Sequence, residues 1–129
     1  MNGLRLITNR VEIESLSSEL QRYIRGMMYP FAFMQNDEVI TKGEIRFLED
    51  GSVEIKMIEA IDKGKGSGRL FVEHLKNIEN VFEIWGESKP DAVPFWLKMG
   101  AVFEPTAFKV FASECEYEED FLVPFTIPC

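Results

Sequence analysis

A chain of 129 residues, 46% of them hydrophobic, has the size and composition of one ordinary domain with a buried core. Its formal net charge of −8, from 14 Lys and Arg against 22 Asp and Glu, works against the broad basic surface that a phosphodiester backbone requires, so no nucleic-acid partner is expected. No apolar run approaches the roughly 20 residues that span a bilayer, and charges interrupt every apolar run in MNGLRLITNRVEIES, so a soluble chain without a leader or a membrane partner is expected.

In chain order, Ile13, Leu16, Leu20, Tyr23 and Ile24 recur at three- and four-residue spacing, which predicts an amphipathic helix over Glu12–Arg25 with Asn9 as its cap. Tyr29–Gln35 and Val39–Glu49, joined by the polar turn NDE, predict two strands of a hairpin. Asp50-Gly51 is a strong turn signal, and Ser52–Ile58 alternates Val53, Ile55 and Met57 against Glu54 and Lys56, which predicts a third antiparallel strand. After a glycine-rich loop, a helix is expected over Arg69–Asn80 and a strand over Val81–Glu87. Together with the third strand they make a βαβ unit with a parallel pair. PDAVPFWLKMG predicts a short helix started by Pro90 or Pro94 and stopped by Gly100. Two last strands are expected near Phe108–Ala112 and Phe121–Ile127, joined by the acidic run ECEYEED.

Chemistry concentrates in the loop DKGKGSGR. A helix N-terminus carries unpaired N–H groups and a partial positive charge, so it receives an anion wherever the preceding chain lets one come close. Gly64, Gly66 and Gly68 remove obstructing side chains and allow left-handed backbone, while Lys63, Lys65 and Arg69 add positive charge. By glycine spacing alone the run is equally a flexible turn. The Walker pattern is absent, because Lys65 is followed by Gly66, and the third glycine arrives one position too early for the dinucleotide fingerprint.

The stretch Lys63-Gly64-Lys65-Gly66-Ser67-Gly68 resembles the phosphate-binding motif of the GNAT-type (Gcn5-related) N-acetyltransferase superfamily, Gln/Arg-x-x-Gly-x-Gly/Ala. Downstream, AVPFWLKMGAVF resembles that superfamily's second motif, Ala-x-x-Phe-Tyr-x-Lys-x-Gly-Phe, with Ala92, Phe95, Lys98 and Gly100 in place. The resemblance covers roughly residues 12 to 127. It implies a single α+β domain over residues 1–129, with a mixed, twisted central sheet of six to seven strands flanked by helices. It also implies acetyl-CoA as cosubstrate, its pyrophosphate on Lys63–Arg69 and its pantetheine arm against the backbone of Met57 and Ile58 in a split of the sheet, with Lys89, Phe95 and Trp96 nearby. The implied reaction is direct transfer of an acetyl group to an amine, with a backbone N–H at Ile58 as oxyanion contact and Glu54 as candidate base. Glu54 reads alternatively as one solvated position of an alternating strand.

The sequence departs from the pattern at three places. Trp96 stands where the family carries the Tyr that protonates the CoA thiolate, and an indole N–H does not serve as that acid. Lys89 replaces an Asn that touches pantetheine, and Ala101 replaces the Phe after the matched glycine. A CoA-binding or interaction domain without acyl transfer is therefore the alternative reading. The acceptor is an amine of unspecified identity, and the acidic run could concentrate a cationic small molecule or protein, although such runs are more commonly solvated loops. Phe31, Phe33, Phe95 and Trp96 read as core, although the resemblance implies that Phe31 and Phe33 fall where such folds line the acceptor side of the cleft. His74, the sole histidine, reads as a solvated helix residue with no metal role. Cys115 and Cys129 match no metal-ligand spacing and are too sparse for a disulfide scaffold, which fits the reducing cytoplasm, as a monomer or homodimer.

Overall fold

The computed structural model describes residues 3–114 and 116–129, and Cys115 lies outside the described residues. The elements are β1 (Leu4–Ile7), α1 (Arg10–Leu16), α2 (Ser18–Tyr23), β2 (Pro30–Gln35), β3 (Glu38–Phe47), β4 (Ser52–Ala60) and α3 (Ser67–Lys76). They continue as β5 (Glu83–Ser88), a 3-10 turn at Pro90–Ala92, α4 (Val93–Lys98), β6 (Val102–Phe103), α5 (Pro105–Ser113) and β7 (Val123–Pro128). The strands form one seven-stranded mixed sheet in the order β1-β2-β3-β4-β5-β7-β6, an α+β architecture. Two compact units can be distinguished, one of residues up to Arg46 with Lys56–His74, the other of Phe47–Ile55 with Leu75–Cys129. None of the described helices is long and apolar enough to cross a membrane.

In the first unit, Asn9 caps α1 as expected, its side chain accepting from the Glu12 N–H at 3.0 Å. The single helix expected over Glu12–Arg25 is instead two, because Ser17 adopts extended backbone (φ −166°, ψ 157°) and its hydroxyl accepts from the Leu20 N–H at 3.1 Å to start α2. A serine offers the backbone this local alternative, and the apolar spacing continues through the break without registering it. Ile13, Leu20 and Ile24 pack with Ile7, Ala32 and Met34. β2 and β3 pair antiparallel around Asn36 (φ 53°) and Asp37 (φ 63°), the two left-handed residues of a tight hairpin turn. On the other face of β2, Phe31 stacks on Phe71 of α3 with centroids 4.4 Å apart, and Phe33 meets Phe71 edge-on at 5.4 Å. The core reading of both phenylalanines holds.

In the second unit, Ser52–Ile55 of β4 pairs parallel with Glu83–Gly86, as the βαβ pattern predicts, and β7 runs antiparallel to both β5 and β6. Asp50 shapes the entry to β4 by accepting from the Ser52 N–H at 3.0 Å and its hydroxyl at 2.7 Å. Gly86 is required by proximity, since a Cβ there would lie 2.8 Å from the Ile55 carbonyl oxygen. The strand expected near Phe108–Ala112 is instead the helix α5. Pro105 suits the first turn, and the Glu104 carboxylate accepts from the N–H groups of Thr106 and Ala107 at 3.1 and 2.6 Å. These two local devices outweigh the strand-like apolar residues they precede. The acidic connection after α5 is organised by rings, Phe111 on Tyr117 at 5.7 Å and Tyr117 on Phe121 at 5.2 Å.

Candidate functional site

The loop before α3 is built from the end of β4 and the first helical turn. Gly64 (φ 83°) and Gly66 (φ 76°) both take left-handed backbone, and a Cβ at either would meet nothing within 4 Å. Glycine is needed there for backbone angle, and the space above the backbone is open. The Gly66 carbonyl accepts the first helical bond, from the Leu70 N–H at 3.0 Å. The N–H groups of the first turn therefore have no carbonyl within the helix to meet. No acidic side chain occupies that turn. The expected cationic residues gather there: Lys63, Lys65 and Arg69 are all exposed, Lys65 lying 3.8 Å from Asp62 and Arg69 2.9 Å from Glu73. Such exposed pairs are weak and leave both cations open to a multiply charged anion. Gly68 sits inside the helix.

Two residues of β3 outside the motif, one bonded to the first turn of α3 and one packed on β4, carry no role in the sequence analysis. The buried Thr41 hydroxyl on β3 donates to the Ser67 carbonyl at 3.2 Å, tying the first turn of α3 to the sheet. At Gly43, a Cβ would lie 2.1 Å from the Met57 carbonyl oxygen, so glycine lets β3 approach the β4 backbone where pantetheine contacts are expected. A glycine inside a strand pattern is the one available signal of such a close approach, whereas a single threonine in an alternating strand carries none.

The remaining expected residues fall elsewhere. Met57 is 42% exposed and Ile58 half-buried on β4. Glu54 is half-buried, opposite Trp85 in the β4–β5 register. Lys89 is exposed and its carbonyl accepts from the Ala92 N–H at 3.0 Å, opening the 3-10 turn. Trp96 is only 4% exposed, stacked on Phe125 at 4.3 Å and edge-on to Phe95 at 4.9 Å. Its ring serves the packing of the second unit. His74 corrects the solvated reading: it is half-buried against the Phe33 ring at 5.1 Å, and burial holds its imidazole below the ordinary value.

Comparison with solved structures identifies the fold. An acetyltransferase of Bacillus subtilis in complex with CoA aligns over 98% of this chain and 99% of its own, with a TM-score of 0.57 and 14% identity. A GNAT family acetyltransferase of Elizabethkingia anophelis with acetyl-CoA bound aligns over the whole of both chains at 0.57 and 14%. Tetrahymena GCN5 aligns over 97% of this chain and 94% of its own at 0.59 and 11%. The fold is that of the GNAT-type N-acetyltransferases. No family model and no curated protein matches the chain by sequence.

Proposed function

We propose that this chain is an N-acyltransferase that takes the acetyl group of acetyl-CoA and passes it directly to an amine. The carrying observation is the loop before α3, where two left-handed glycines with open space above them precede a helix whose first turn lacks acidic side chains. Acetyl-CoA suits this donor set: the N–H groups from Ser67 to Arg69 receive pyrophosphate oxygens, with Lys63, Lys65 and Arg69 balancing the charge. The CoA-bound state of two proteins sharing the fold adds support. The β4 backbone at Met57 and Ile58 aligns the pantetheine amides, and the Ile58 N–H stabilises charge on the carbonyl oxygen. Glu54 accepts the amine proton as the C–N bond forms and the C–S bond breaks, and solvent protonates the departing thiolate. The buried Trp96 ring favours one second reading, a CoA-binding domain without transfer, because it offers no acid at the position where the superfamily motif carries one.

The first test is a thermal-shift titration with acetyl-CoA, CoA and ATP. Both CoA species should raise the melting temperature, by about 2.7 kcal/mol of added stability at a hundredfold excess over Kd, with ATP weaker. Absence of a shift with either CoA species rejects both readings. Thiol release with a panel of amines then separates them, and in Glu54→Gln the rate should fall about a hundredfold with binding retained.

A further inference from the structure

The second unit leaves one face of its sheet open. Along β5 the side chains alternate, with Ile84, Gly86 and Ser88 buried and Glu83, Trp85 and Glu87 on the opposite face. That face forms a groove of about 750 Å³ reaching from the turn before β4 to β6 and β7. Its floor is the half-buried Trp85 together with Val102, which is 64% exposed. Asp50, Glu83, Glu87 and Glu104 stand around it, and among the described residues no Lys or Arg lines it. Hydrogen bonds lower the pKa of two of these carboxyls, Asp50 through Ser52 and Glu104 through the Ala107 and Thr106 N–H groups.

We propose that this groove is a docking surface for an extended, Lys- and Arg-rich peptide segment of another protein. An aromatic and aliphatic floor ringed by carboxylates suits side chains with apolar stems and cationic heads, which lay the stem on the floor and carry the charge to the rim or over the indole. A second copy of this chain is a poor occupant, since each copy carries a net charge of −8. The groove has room for several side chains of a peptide, more than a single linear polyamine fills. This inference stands apart from the acyl-transfer reading and is tested without any CoA species.

The probe is a fluorescein-labelled eight-residue peptide alternating Lys or Arg with Val, titrated with the full chain and followed by anisotropy. Binding should weaken with added salt, and Glu83→Lys with Glu87→Lys should cost about tenfold in affinity, as should Trp85→Ala. Circular dichroism of each variant verifies the fold. Charge reversal at Glu118 and Glu119, outside the groove, serves as the control and should leave affinity within about twofold. Equal loss in that control would reduce the binding to general charge attraction and overturn the proposal. So would unchanged affinity in both groove variants, or spermine binding there more tightly than the peptide.

Discussion

Gly43 and the pair Gly64 and Gly66 lie in the same unit, yet glycine does opposite work at the two places. At Gly43 the space for a side chain is already filled, by the Met57 carbonyl and the Phe31 ring. At Gly64 and Gly66 the backbone is left-handed and nothing lies within 4 Å. One glycine is imposed by the protein's own packing, and the others keep clear a space the protein does not fill. Open space above two left-handed glycines at a helix N-terminus is what the proposed seating of the acetyl-CoA pyrophosphate requires.

Substitutions should separate the two kinds sharply. Gly43→Ala should destabilise the fold by about 3 kcal/mol in chemical denaturation, because the added methyl would meet backbone that moves only with the strand. Gly66→Asp should instead lose the acetyl-CoA thermal shift, while left-handed strain costs only about 1 to 2 kcal/mol and the far-UV spectrum stays native. An intact acetyl-CoA shift in Gly66→Asp would remove the basis for assigning the loop to the pyrophosphate.

Smaller effects test the frame around these glycines. Ser17→Ala removes the cap that starts α2 and should cost about 1 kcal/mol, with acetyl-CoA binding retained. The smallest effect belongs to His74. Burial favours its neutral ring, so its contribution is fully present above the unfolded pKa of about 6.5 and is lost as pH falls through the lower folded value. Melting curves of wild type and His74→Gln should therefore differ in pH dependence between about pH 7.5 and pH 5, with wild type losing more on acidification.

What the sequence disclosed follows from the range of the forces involved. The hairpin at Asn36 and Asp37, the Asn9 cap and the parallel β4–β5 pair were legible because each rests on local turn chemistry or strand periodicity. The glycine loop was legible because its spacing is itself the backbone requirement. β1 was missed because four residues interrupted by Arg5 make a strand only through pairing with β2. α5 was misread because its apolar residues resemble a strand, while Glu104 and Pro105 just before them decide the outcome. The Thr41 tether depends on a partner distant in sequence, Ser67, and no local pattern announces it, whereas Trp96 reads as core from its residue type and is buried against Phe125.

The Thr41 hydroxyl has a kinetic meaning as well. It holds the Ser67 carbonyl from within the sheet, and on the proposed reading this tether should pre-order the first turn of α3 for the incoming anion. Encounter with acetyl-CoA should then be a single step, its observed rate rising linearly with ligand concentration in stopped flow. Thr41→Val, with that tether gone, should show the rate levelling off as a conformational step becomes limiting.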